Sequence, residues 1–233
     1  MKPNETLSST LTSDNLIDKM GDEHIGTSLE TPLRKDAFEL SDAEKISGIE
    51  HHFGMIMDIL GLDGTDDSLR GTPHRVAKMY VKEIFSGLNP NNKPKISLFE
   101  NKYKYNEMLI EKDITFYSNC EHHFVPIVGK AHVAYISNGT VIGLSKINRL
   151  VQYFSARPQV QERLVNQIAE SLKEVLQTDD VAVVMDAVHL CVASRGIKDT
   201  NSSTVTSHFS GKFKDKMVKK EFISLLNAKG DLL

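Results

Sequence analysis

Residues 113–136 read DITFYSNCEHHFVPIVGKAHVAYI, and this stretch decides the fold. Asp113–Ser118 and Lys130–Ile136 are short runs rich in β-branched and aromatic residues, which suit a pleated, half-buried surface and predict two strands. Ser137-Asn138-Gly139-Thr140 carries turn chemistry, and Val141–Leu144 continues as a further short strand. Ser145 then opens a helix to about Phe154. Pro158 opens a longer helix, with Val160, Leu164, Ile168, Leu172 and Val175 along its inner face. Beyond it, Asp180–Ala187 (DVAVVMDA) predicts an apolar strand, His189–Ser194 extended chain, and Thr204–Phe209 a last strand. A short helix over about Asp215–Asn227 follows. Strands, two helices and strands again predict an α+β fold around an antiparallel sheet.

Upstream, Ser41 followed by Glu44 is a capping-box signature. Ile46, Ile49, Phe53, Ile56 and Leu60 then recur at helical spacing, with Gly61 as the stop. Thr72-Pro73 starts a second helix that ends at Gly87, and Leu88–Lys95 reads as a linker. Residues 1–38 are rich in Ser, Thr, Asn, Asp and Glu without apolar period and are expected to form a flexible tail. The expected organisation is this tail, a helical region over 39–95 and a catalytic domain over 96–230.

With 40% apolar and 25% charged residues in 233, the composition is that of an ordinary globular protein. A net charge of −3 gives no general attraction for nucleic acid, so an anionic ligand needs a local cluster of cations. No apolar run reaches the roughly 20 residues of a membrane span, and the start MKPNETLSST, with no apolar block behind a basic start, is not expected to act as a signal peptide. The expected location is the cytoplasm, with no membrane partner.

The chemistry centres on two cysteines, Cys120 and Cys191, each beside histidine. Cys120 and His123 are three apart in a turn that follows a strand. His189 and Cys191 are two apart on chain expected to be extended, so they would share a face. Thiolate and imidazole are zinc ligands. Cys120, His123 and Cys191 supply three, leaving a fourth position for water, while His122 and His189 stand by as proton-transfer groups. A closed structural site using four of the five side chains is the alternative; the surplus of ligands favours the open one.

Dispersed cations form a second set. Arg75 and Lys78 share one helix face, Lys146 and Arg149 another, and Arg195 follows Cys191. No G-x-x-x-x-G-K-[ST] loop is present, so a triphosphate would have to be held by side chains. Each cation alone also reads as a solvated surface charge. Glu162, at a helix start, could accept the ring N–H and exocyclic amine of guanine; taken alone it is also an ordinary first-turn acid.

Taken in order, residues 72–77 (TPHRVA), 118–123 (SNCEHH), 129–135 (GKAHVAY), 143–146 (GLSK), 157–163 (RPQVQER) and 189–191 (HLC) resemble the GTP cyclohydrolase I family. The resemblance spans about Leu60 to Leu226. It implies conversion of GTP and water to 7,8-dihydroneopterin 3'-triphosphate and formate, the entry step to tetrahydrofolate or tetrahydrobiopterin. It implies zinc on Cys120, His123 and Cys191, and proton transfer by His122 and His189. Gln161 and Glu162 would read guanine, and Arg75, Lys78, Ser145, Lys146, Arg149 and Arg195 would hold the triphosphate. The implied fold is the tunnelling fold, a four-stranded antiparallel sheet with two inserted helices (ββααββ), preceded here by N-terminal helices. The implied assembly is a homodecamer of two pentamers with sites between subunits. From another class, a zinc-stabilised purine-nucleotide-binding module without turnover would need a closed site. A different enzyme of the same fold would lack the zinc triad or Glu162.

Overall fold

The computed structural model describes residues 28–228. Its centre is a five-stranded sheet in the order β5-β2-β3-β6-β7. The strands are β2 (Met108–Cys120), β3 (Pro126–Ile136), β5 (Pro158–Gln159), β6 (Val181–His189) and β7 (Thr204–Phe209). Neighbours pair antiparallel except β2 with β5, which runs parallel through Asn119 opposite Pro158 and Cys120 opposite Gln159. The expected sheet of four strands therefore has a fifth. Pro158 does not open a helix. It begins β5, because the backbone N–H of Glu121 binds the Gln159 carbonyl and holds this segment against β2. A separate two-stranded sheet joins β1 (Leu98–Glu100) to β4 (Thr140–Ile142).

Two helices, α3 (Leu144–Ser155) and α4 (Gln161–Leu176), lie in the chain between β3 and β6. Side chains alternate along β3: Ala131, Val133 and Tyr135 face the main core, whereas Ala134 and Ile136 face the opposite side. The main core joins Phe116, Val133, Tyr135, Val183 and Met185 of the sheet to Ile147, Leu150, Leu164, Ile168 and Leu172 of the helices. A smaller cluster on the other face is closed by Phe213 and by Phe222 of the last helix, α6 (Lys216–Asn227), whose N-cap is Asp215. Toward the Cys120 end of that second face, Tyr117 is 69% exposed.

Helix α1 (Asp42–Ile59) carries the full capping box: Ser41 Oγ accepts from the Glu44 N–H, and Glu44 returns to the Ser41 N–H. Gly61, at φ +76°, lets the chain leave it in a left-handed turn. Helix α2 (Thr72–Met79) runs into one π-turn over Tyr80–Ile84, and short 3-10 turns lead to the sheet. This region is docked by Gly87. Its N–H donates to the Ala156 carbonyl at 2.9 Å, and its carbonyl accepts from Arg157 Nε at 2.8 Å. The Arg157 guanidinium is stacked over the Tyr153 and Phe154 rings at 4.7 and 4.8 Å.

Residues 1–27 of the expected tail lie outside the described residues. Residues 28 and 29 are held on α4: Arg163 Nε donates to the Ser28 carbonyl and Gln167 Nε2 to the Leu29 carbonyl, both at 2.9 Å. Among the described residues no helix is long and apolar enough to cross a membrane.

A Cβ at Gly87 would meet the Tyr153 carbonyl oxygen at 2.0 Å. Gly87→Ala should therefore destabilise the fold by roughly 1–3 kcal/mol through overpacking. Denaturant unfolding checks it, and an unchanged midpoint would show that this contact does not dock the helical region.

Candidate metal centre

Cys120 ends β2, and the turn Glu121-His122-His123 follows directly, closed by Phe124 at φ +53°. The Phe124 N–H donates to the Cys120 carbonyl at 2.8 Å, and the Cys120 N–H to the Val125 carbonyl at 2.9 Å. This tight turn swings His123 back toward the sulfur. Cys191 comes from across β3, just beyond the end of β6, and packs against the same core as Cys120. The expected extended chain over His189–Ser194 is not what forms. Leu190–Ala193 is a single helical turn, α5, so Cys191 reaches the site by helix geometry rather than by sharing a strand face with His189. A short apolar run such as Leu190–Ala193 does not distinguish the two by periodicity.

Metal-ligating atoms of Cys120, His123 and Cys191 all lie within 4.8 Å of one another. Among the described residues this is the one such group of histidine, cysteine and acidic side chains, and no fourth member joins it. Cys120 is buried and Cys191 half-buried, and they form no disulfide. Burial pushes the Cys191 thiol up, the adjacent Cys120 sulfur adds to the rise, and Arg195 opposes it. Two sulfurs forced together in this way are stabilised as thiolates only by a cation between them, and their chemistry fits a soft to borderline divalent metal.

The proton-transfer candidates border the cluster. His122 Nδ1 is 3.6 Å from Cys120 Sγ, and its Nε2 lies 3.9 Å from Glu121 Oε1. His189 Nε2 is 2.8 Å from Gln161 Oε1. Gln161 is buried, and its Nε2 faces the carbonyls of Met185 and Thr204 and the Thr206 hydroxyl at 3.2, 2.8 and 3.1 Å. That network assigns the amide oxygen to His189, whose Nε2 then carries the proton and leaves Nδ1 as the acceptor. Burial lowers the His189 pKa, and Glu162 partly offsets this, so the ring is neutral near pH 7.

The expected guanine readers therefore divide. Gln161 spends its side chain on His189 and the adjoining strands, while Glu162 stands exposed in the first turn of α4. Of the expected phosphate ligands, Arg195 is joined to the cluster, with Nη1 2.9 Å from His123 Nε2. Ser145, Lys146 and Arg149 occupy the first two turns of α3, and Arg75 and Lys78 lie on α2. Arg75 binds Thr72 Oγ1 and the Ser68 carbonyl in its own segment. No hydrogen bond or ion pair among the described residues connects these five to the cluster. Sequence reading missed the Glu121–Arg163 pair, in which both guanidinium Nη atoms meet both carboxylate oxygens at 2.5 and 3.2 Å. Each residue stands beside a recognised one, and only the fold brings the two together.

The GTP cyclohydrolase I family profile matches residues 49–227. GTP cyclohydrolase 1 of Flavobacterium johnsoniae is 58% identical over 216 residues, covering 93% of this chain and 97% of that protein. The proteins of the same name from Salmonella arizonae and Salmonella newport are each 54% identical over 203 residues, covering 87% of this chain and 91% of theirs. The chain belongs to the GTP cyclohydrolase I family.

Cys120→Ser or Cys191→Ser should each abolish metal retention through gel filtration, read as metal per chain. Full retention in either variant would contradict the ligand assignment. For the unaltered chain, metal affinity should rise with pH, because the raised Cys191 thiol must lose its proton on binding. With two protons displaced, the slope approaches about a hundredfold per pH unit. Affinity independent of pH would contradict thiolate ligation.

Proposed function

We propose that this chain hydrolyses GTP to 7,8-dihydroneopterin 3'-triphosphate and formate, the first step toward tetrahydrofolate or tetrahydrobiopterin. The observation that carries the reading is the convergence, at one end of the sheet, of the Cys120–His123–Cys191 cluster with His122, His189 and Glu162. The family and its relatives named GTP cyclohydrolase 1 support the same activity.

Cys120, His123 and Cys191 would hold zinc, whose preference for mixed sulfur and nitrogen donors they match. When bound, zinc supplies Lewis acidity that can lower the pKa of water steeply, toward about 7. The rest falls to the chain's own side chains. The Glu162 carboxylate accepts the ring N–H and exocyclic amine of guanine, a donor pair absent from adenine. His189, neutral and anchored through Nε2, takes a proton at Nδ1 as the purine imidazole ring opens. His122, beside the Cys120 sulfur, handles a second proton at Nε2, which lies 3.9 Å from Glu121 Oε1. Gln161 acts on guanine through His189 rather than by reading the base with its own amide.

Ser145, Lys146, Arg149 and Arg195, with Arg75 and Lys78, would hold the triphosphate. Their dispersal over α3, α2 and the Cys191 turn fits sites completed by a neighbouring subunit, in a homodecamer of two pentamers built from the tunnelling fold. The reading places the enzyme in the cytoplasm and divides the chain into a tail over 1–38, a helical region over 39–95 and a catalytic domain over 96–230. A zinc-stabilised binding module without turnover would require a fourth protein ligand, and the cluster has three among the described residues.

Zinc-loaded protein given GTP should release one formate per GTP and yield a pterin that fluoresces after oxidation. Binding without formate would overturn the reading. Glu162→Ala should raise KM for GTP on the order of 10- to 100-fold. Arg149→Ala should weaken GTP by about tenfold while leaving guanosine nearly unchanged. Equal losses on both ligands would remove Arg149 from the phosphate site.

A further inference from the structure

Arg163 is the second side chain along from Gln161 on α4, and its side chain is only 2% exposed. A buried guanidinium is costly unless its donors are paired. Here they are paired in two directions. Nη1 and Nη2 meet both oxygens of Glu121, between the metal-cluster residue Cys120 and His122, while Nε donates to the Ser28 carbonyl at 2.9 Å. The Glu121 carboxylate is itself directional: Oε1, which accepts from Arg163 Nη2 at 3.2 Å, also lies 3.9 Å from His122 Nε2. The Glu121 backbone is fixed as well, by its N–H to the Gln159 carbonyl at 3.0 Å.

We infer that Arg163 is a positioning residue that sets the metal-binding turn through Glu121 and locks the segment beginning at Ser28 to the same turn. The physical basis is geometric. A planar guanidinium presents its donors in a fixed fork, so an Arg163 held by α4 permits essentially one placement of the Glu121 carboxylate. That placement orients the turn carrying His122 and His123. Because Nε of the same group holds Ser28, displacing the 28–29 segment would loosen a restraint on the guanidinium that fixes Glu121. Lysine, a point charge without the fork, does not fix the carboxylate in that one placement.

The inference deepens the proposed function, and its test has a readout that does not depend on turnover. Full-length, zinc-loaded protein is mixed with excess chromophoric chelator, and the rate of zinc release is followed beside steady-state kinetics on GTP. Arg163→Gln should speed zinc release on the order of 10- to 100-fold, the range for residues that orient metal ligands. It should lower kcat more than it raises KM, with Arg163→Lys intermediate. Glu121→Gln, nearly isosteric at a partly exposed position, keeps the fold testable if Arg163→Gln unfolds, and should speed release similarly. Adding Arg163→Gln to Glu121→Gln should then produce little further change. Wild-type release rates in folded Arg163→Gln or Glu121→Gln would overturn the inference, as would effects of the two that simply multiply. Absence of formate from the wild type would instead sink the proposed function and leave the release rates to judge Arg163.

Discussion

Two sulfur atoms and an imidazole nitrogen sit within 4.8 Å of one another, and the surrounding structure is organised to keep them there. Cys120 is buried, and the Cys191 thiol beside it is raised by burial and by its neighbour. A cation held between the two sulfurs would relieve that strain. It replaces lost hydration and turns sulfur–sulfur repulsion into shared coordination. The three side chains come from distant parts of the chain, so a metal held by them would also tie the end of β2 to the turn after β6. Binding energy at such a site is in part folding energy of these two loops.

The sheet supplies the rigidity. β2 and β6 both pair with β3, Ile127 of β3 standing opposite both Ser118 and His189, so the two ligand-bearing strand ends are in register across one intervening strand. Helix α4 begins beside them, held by β5 against β2. Its first turn sends Gln161, Glu162 and Arg163 three ways: to His189, to solvent and to Glu121. Three consecutive residues can do this because helical geometry fans them about 100° apart.

Much of this was legible in the chain. The capping box at Ser41 and Glu44, the stop at Gly61 and the strand over Thr204–Phe209 are local signals, and the structure has them where the sequence puts them. The members of the Cys120–His123–Cys191 cluster were legible as well, since cysteine beside histidine is a sparse and chemically distinctive signal. What failed was decided by distant partners. Pro158 has the local look of a helix start, yet β2 captures it as a strand. β1 is three residues long and exists only because β4 pairs with it. Cys191 sits in a run too short for periodicity to separate helix from strand. The commitment of Gln161 to His189 and of Arg163 to Glu121 spans 28 and 42 residues respectively, and no spacing rule reaches that far.

The central claim is that both cysteines and one histidine hold the same metal ion. X-ray absorption at the zinc edge of the purified, zinc-loaded protein tests it most directly. The account predicts two sulfur neighbours at about 2.3 Å, with the remaining first neighbours nitrogen or oxygen at about 2.0–2.1 Å. A zinc ion with no sulfur neighbours, or with one, would contradict it.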